Sequence, residues 1–312
     1  MSIEKVNKMV VCFGEILWDN LPSGKKAGGA PMNVAYHLHH LGIDSLILSR
    51  VGDDESGNDL LKLLKDRGLS TAFCQVDTEY ATSEVLARIS ANHEVSYDIV
   101  YPVAWDFIEW KDEFGPLLGK ADAFVFGSLI NRNKVSRTIL HRMLELAKYR
   151  VLDINLRTPH YTPEVISELL HKTDLLKLNV NELYLVGEWF AETNSKEIKI
   201  IALLQDKFNI KEILVTRGGS GASYFIGSTR YDHGGYSVKV ADTVGSGDAF
   251  LAAFLAKKLS GASLEEALDY ACILGAFVTT HAGACPNYGD SDLNQFISGK
   301  TKNKVEINSF SK

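Results

Sequence analysis

No stretch of this 312-residue chain approaches the ~18 consecutive apolar residues of a membrane-crossing helix, and no run of Lys or Arg offsets its formal net charge of −6. The first absence argues against a membrane protein, the second against the basic footprint of a nucleic-acid binder. Cysteine is scarce, and Cys12, Cys74, Cys272 and Cys285 form no C-x-x-C pair. Their mostly apolar neighbours, as in Val10-Val11-Cys12-Phe13, suggest small buried hydrophobes rather than bridges. The N-terminal Met-Ser-Ile-Glu-Lys-Val-Asn-Lys lacks the apolar core of a secretory signal, so a reducing cytoplasm is expected. Internal repeats and low-complexity linkers are missing too. So is a G-x-G-x-x-G after the first apolar run, Met9 to Phe13, where the chain reads Gly14-Glu15-Ile16-Leu17-Trp18-Asp19 instead. A dinucleotide-binding Rossmann unit is therefore poorly supported.

What remains is an ordinary globular composition, 46% hydrophobic and 23% charged, which is ample for a large core. Met9 to Phe13, Ser45 to Val51, Ala121 to Phe126, Arg150 to Asp153 and Ile213 to Thr216 read as buried strands. Helical patterns lie between them: Pro31 to Gly42, Asp53 to Arg67 with Leu60, Leu61, Leu63 and Leu64 inward, and Lys134 to Lys148. Between Ala72 and Tyr101 the period changes to two, with Val85, Ala87 and Ile89, then Val95, Tyr97, Ile99 and Tyr101, at alternate positions. Such segments inside an α/β chain suggest a small antiparallel sheet outside the main core, whose apolar face needs a cover: substrate cleft, partner subunit, or both. His37, His39 and His40, with no clustered acid or Cys, read as packed or solvated histidines rather than metal ligands. The polar tail from Gly299 to Lys312 is expected to be poorly ordered.

The most informative stretch is Asp242-Thr-Val-Gly245-Ser246-Gly247-Asp248-Ala-Phe250, which enters an apolar, helix-forming run ending at Lys257-Lys258. A helix N-terminus offers unpaired amides and the positive end of a dipole, and glycines let a phosphate come close to them. A polyphosphate site gains nothing from the added charge of Asp248 unless that carboxylate accepts a proton from an incoming hydroxyl. The alternative is a first-turn acid favoured by the dipole alone.

This nonapeptide resembles the C-terminal signature of the ribokinase-like (PfkB) carbohydrate kinases, D-T-x-G-x-G-D. Gly28-Gly29-Ala30-Pro31-Met32-Asn33-Val34-Ala35 is similar to the family's N-terminal signature, a Gly-Gly pair followed by Asn. The resemblance spans roughly residues 9 to 290. It implies a three-layer α/β fold with a mostly parallel central sheet, in a single kinase domain over residues 1–312. Inserted segments 15–27 and 72–104 would form a small β-sheet lid over the sugar, which in several relatives is also a homodimer contact.

The same resemblance implies ATP and Mg²⁺ as cofactors, a sugar as the other small-molecule partner, and the site roles. Asp248 would be the catalytic base, with Gly245, Ser246 and Gly247 as the anion hole. Asp19, Gly28, Gly29 and Asn33 would hold the sugar, although Asp19 also suits a turn before Asn20-Leu-Pro22-Ser-Gly24. Trp105 either walls the sugar pocket or packs where the chain returns to the main domain. Asp153, Asn155 and Arg157, a D-x-N-x-R common in fructokinases and ketodeoxygluconate kinases, would point into the cleft from alternate positions. Arg157 would face substrate or phosphate, or else form a structural salt bridge. Asn179 and Glu182 match an N-x-x-E motif acting on Mg²⁺ and phosphates through water, or a helix start with a capping acid. Thr216, Gly218 and Gly221 would lie along the nucleotide. Gly275 and other small residues on one helix face would leave room for adenine. Asp242 and the Gly283-Ala284-Cys285 loop match a monovalent-cation site, K⁺ in kind.

Gly-Gly-Ala-Pro-x-Asn-Val-Ala is the form associated with fructokinases, so the expected reaction is fructose phosphorylation at the 6-hydroxyl. Met32 and Ser246 depart from the commoner residues, and Met32 bears on the shape of the sugar pocket. Rival acceptors are another ketose, ribose, 2-keto-3-deoxygluconate or a nucleoside. From a different class, a non-catalytic, sugar-responsive relative would have lost the base or the anion hole, and here both are present.

Overall fold

A computed structural model describes residues 8–21, 24–89, 95–192, 194–299 and 304–310. The chain opens with β1 (Met9–Phe13), the hairpin β2 (Leu17–Leu21) and β3 (Gly24–Gly28), and helix α1 (Ala30–His40). β4 (Asp44–Gly52), α2 (Glu55–Asp66), β5 (Cys74–Asp77), β6 (Ser83–Ile89) and β7 (Val95–Ile99) follow. The middle is a run of α/β units: α3 (Phe114–Lys120), β8 (Ala123–Gly127), α4 (Lys134–Leu146), β9 (Arg150–Asp153), α5 (Pro163–Leu170), β10 (Leu175–Asn179), α6 (Val180–Phe190) and α7 (Glu197–Phe208). Strands β11 (Glu212–Thr216), β12 (Ala222–Ile226) and β13 (Thr229–His233) precede α8 (Ser246–Leu259), α9 (Leu264–Thr279), α10 (Asp290–Ser298) and β14 (Glu306–Ser309).

Ten strands form the main sheet in the order β14-β13-β12-β11-β10-β9-β8-β1-β4-β5. From β5 to β11 each pairing is parallel, and β12, β13 and β14 add an antiparallel edge. Parallel strands need both faces covered, which is why they read as apolar runs. Alternation divides their side chains between two cores. Val10, Cys12, Ala123 and Val125 pack with α1, α2, α8 and α9, whereas Val11, Phe13, Phe124 and Phe126 pack with α3 to α7. The expected three layers follow.

Helix α8 is apolar on every side, with each residue from Asp248 to Ala256 buried. It lies against α1 and α9, so its first turn is held rigidly at the carboxyl end of the sheet, where ligands of such folds bind. Among the described residues, no helix is long and apolar enough to cross a membrane.

The small sheet, order β3-β2-β6-β7, is mixed rather than purely antiparallel, because β2 runs parallel to β6. Its second part is also shorter than expected. Residues 74–77 pair with β4 in the main sheet, so the small sheet resumes only at Ser83. Residues 90–94 of the expected lid lie outside the described residues, as do 22–23. The tail departs from expectation as well: β14 pairs with β13, adding a last strand to the sheet through main-chain hydrogen bonds that its polar composition did not announce. The four cysteines are free, with Cys12, Cys272 and Cys285 buried. His37 is fully buried, bonded to Tyr288 and to the Ala284 carbonyl.

Candidate active site

The two glycine motifs, far apart in the chain, meet at one point. Gly245 ends its loop in a left-handed conformation (φ 75°) and caps α8, whose first turn carries Ser246, Gly247 and Asp248. A β-carbon at Gly245 would stand 2.4 Å from Ala284 Cβ, so glycine is required by both space and dihedral. On the other side, Gly29 (φ 111°) begins α1, and a β-carbon there would meet the Glu15 carbonyl at 2.3 Å. α1 then presents Asn33 to α8. Asn33 Nδ2 donates to Asp248 Oδ2 at 2.8 Å, while Cys285 Sγ donates to Asn33 Oδ1 at 3.2 Å.

Asp248 is buried, and its acidity is shifted accordingly. Burial first, then the Asp153 carboxylate, push its pKa up to about 6 against the lowering effects of Lys177, the Asn33 hydrogen bond and Arg157. Glu15, two residues past β1, is pushed up to about 7 by burial; one oxygen accepts from the Ala30 amide at 3.2 Å. Asp19 lies on β2, opposite Lys26 within the hairpin. A β-carbon on Gly28 would fall 2.2 Å from Asp19 Oδ2, so that glycine makes room for the carboxylate. Burial raises Asp19 to about 6, with Arg157 opposing and Asp242 adding to the rise.

Beside the first turn of α8 is a cavity of about 400 Å³, within the usual range for a small-molecule site. Thr216, Gly218, Gly221, Ser246, Gly247 and Gly275 all line it. Sequence reasoning missed the opposite wall, Tyr236, Ser237, Val238 and Val240, together with Thr279. The first four lie in an irregular stretch before Asp242 with no periodic pattern, so no local signal marked them, and Thr279 is the last residue of α9.

Other expectations are met differently. Strand β9 stops at Asp153 and Asn155 turns left-handed (φ 37°), so the three D-x-N-x-R side chains do not alternate into the cleft. Asp153 is buried against Lys177 instead. Arg157 is exposed, bonded to the Leu156 carbonyl, and acts by charge on Glu15, Asp19 and Asp248. Asn179 and Glu182 form a capping box at α6: Asn179 Oδ1 accepts from the Glu182 amide, and Glu182 accepts from the amides of Asn179 and Leu156. Trp105 stands apart from these groups. It is fully buried, with the Arg132 guanidinium 3.9 Å above its ring, which matches the packing alternative and not a pocket wall. Asp242 and Gly283 are adjacent: one Asp242 oxygen accepts from the Gly283 amide and the other from Val244, both at 3.0 Å.

A family model described as pfkB family carbohydrate kinase matches residues 9–289. The chain belongs to the pfkB family. Among similar members, the fructokinase of Solanum tuberosum is 30% identical over 302 residues, covering 89% of this chain and 92% of the relative. Fructokinase-2 of Solanum lycopersicum is 29% identical over 307 residues, covering 89% and 92%. The pfkB fold is shared with a solved fructokinase with bound ATP from Xylella fastidiosa, at TM-score 0.82 and 20% identity, over 94% of this chain and 99% of that one. A fructokinase from Vibrio cholerae O395, bound to fructose, ADP and calcium, superposes at TM-score 0.78 and 23% identity, over 93% and 98%.

Proposed function

We propose that this pfkB carbohydrate kinase transfers the γ-phosphoryl group of ATP to the 6-hydroxyl of fructose. The observation that carries the reading is the pairing of Asp248 with Asn33 at the N-terminus of α8, next to a cavity of about 400 Å³. A buried carboxylate raised to about 6 is ionised at neutral pH yet basic enough to accept a proton as a sugar oxygen attacks phosphorus. The hydroxyl proton goes to Asp248, the new bond forms between sugar oxygen and γ-phosphorus, and the bridging bond to ADP breaks. Amides around Gly245, Ser246 and Gly247 hold the charge on the phosphoryl oxygens. Asp19, Asn33 and the Gly28-Gly29 backbone hold the sugar, and Thr216, Gly218, Gly221 and Gly275 line the nucleotide's place.

Among the described residues no group of three or more His, Cys, Asp and Glu side chains could cage a metal. The Glu182 carboxylate is tied to two backbone amides. These residues fit Mg²⁺ carried in by the nucleotide and reached through water, as its hydration favours, with Asn179 and Glu182 as the water partners. When bound, Mg²⁺ offsets phosphate charge. A K⁺ ion would sit between the two loops that Asp242 joins, a likeness to the family rather than a coordination sphere. Fructose as acceptor rests on the names of the relatives.

ADP release measured across fructose, ribose, other ketoses, 2-keto-3-deoxygluconate and nucleosides tests the reading. Fructose should give the highest kcat/KM by at least about tenfold. A higher value on another acceptor would replace fructose, and no ADP release on any of them would refute kinase activity. Asp248→Asn should lower kcat by about 10²–10⁴-fold while both ligands still bind.

A further inference from the structure

Beneath the first turn of α8 lies a buried ion pair that the reading above leaves without a task. Lys177, on β10, donates to both oxygens of Asp153, on the neighbouring strand β9, at 3.0 and 2.8 Å. Both side chains are nearly inaccessible, at 9% and 3%. A β-carbon on Gly247 would stand 2.9 Å from Lys177 Nζ, so the ammonium occupies the space beside the residue before Asp248 that a side chain there would need. A hydrophobic pair of similar volume would fill this space without the desolvation of two charges. The position is therefore unusual for a purely structural contact.

We propose that Lys177 is a positioning residue for phosphoryl transfer: clamped by Asp153, it supplies the fixed positive charge beneath α8 that keeps the Asp248 carboxylate ready to accept a proton. The inference rests on the reading of Asp248 as the base. The surroundings of Asp248 show why such a charge is needed. Asp153 on β9 and Glu15 after β1 are acids acting on it, and the Cys285 thiol lies within electrostatic reach. Asn33 on α1 donates a neutral hydrogen bond, and Arg157, after β9, is exposed to solvent. Lys177 is the buried cation in this set. Burial works against its charge, but Asp153, Asp248 and, from the first turn of α6, Glu182 hold its pKa above the ordinary lysine value. Asp153 has a double part: alone it opposes the ionisation of Asp248, yet it is what fixes Lys177 in place. Gly247 completes the device, because a side chain there would push the ammonium aside.

The test is the acid limb of the pH profile of kcat/KM in three variants of the full-length enzyme, with urea midpoints to show that each is folded. Lys177→Met should move the limb up by about one pH unit or more, since an opposite charge at close range has been removed. Asp153→Asn should move it down. The double variant Lys177→Met/Asp153→Asn keeps the site neutral and should fall between the two, which also answers the case in which Lys177→Met alone does not fold. A role in packing only would lower activity or stability without moving the limb in opposite directions, and that result would overturn the inference. Asp248→Asn is the control that separates the two claims. If Asp248→Asn retains full turnover, the assignment of the base has failed; if it is inactive but the limb is unmoved in the folded variants, only the role of Lys177 has failed.

Discussion

The Asn33 amide donates to the Asp248 carboxylate at 2.8 Å across 215 residues of sequence, joining the two glycine motifs through one hydrogen bond. Its chemistry is directional, because an amide donor favours the ionised carboxylate. Asn33→Asp puts a second acid at that distance. The variant should lose about 10²-fold or more in kcat/KM at neutral pH, with an acid limb raised by at least about one pH unit. An unchanged profile would mean that the amide holds only the sugar.

A second expectation concerns pH in the unmodified enzyme. With Asp248 pushed up to about 6, its base form is lost as pH falls through that value. Below the limb, log kcat/KM should fall by about one per pH unit. A limb near the ordinary aspartate value would show that burial and Asp153 do not act on Asp248 in solution.

Glu15 gives a stability prediction with a defined sign. Its pKa rises from 4.5 unfolded to about 7 folded, so the folded state binds the proton more tightly. The cost of burying the charged form is then complete above about pH 7 and vanishes below about pH 4.5. Glu15→Gln should therefore be more stable than the parent at pH 8, by up to about 3 kcal/mol, with the gap closing by pH 4.5. Urea denaturation at both values measures this, and a gap that widens on acidification would contradict it.

The division between what was legible and what was not follows from locality. Strands such as Met9–Phe13 and helices such as α8 could be read because each carries its burial pattern in consecutive residues. The glycine positions were readable for the same reason, since an amide-lined turn before a helix is a local object. Lys177 was not: inside Leu175-Leu-Lys-Leu178 it looks like an exception in a buried strand, and only pairing of β9 with β10 brings Asp153 opposite it. Neither was β14, whose place depends on a partner strand rather than on its own composition. The D-x-N-x-R segment misled because alternation was extended past the strand end at Asp153, into a residue with positive φ.

Gly28 offers a test of the sugar side alone. A β-carbon there would lie 2.2 Å from Asp19 Oδ2, which must swing away, whereas the Gly28 backbone itself needs no unusual dihedral. Gly28→Ala should raise KM for fructose by about tenfold or more, the loss of about one charge-assisted hydrogen bond, while KM for ATP stays within about twofold. A matching rise in both constants would assign Asp19 to holding the hairpin.

Gly245 tests the phosphate side. Its left-handed dihedral alone costs an alanine about 1–2 kcal/mol, and the added carbon would meet Ala284 Cα at 2.5 Å and Cβ at 2.4 Å. Relief requires the 283–285 loop to move, and that loop is tied to α1 by His37 and to Asp242 by the Gly283 amide. The strain should therefore spread to the first turn of α8 rather than stay local. Gly245→Ala is expected to lower the melting temperature by several degrees and kcat by about 10²-fold or more, as when an oxyanion-hole donor is lost. Gly261, which is also left-handed (φ 80°) but has nothing within 4 Å of an added carbon, provides the comparison. Gly261→Ala should show the dihedral cost in melting temperature with kcat retained, and equal losses of kcat in both variants would remove the case for a phosphate cradle at Gly245.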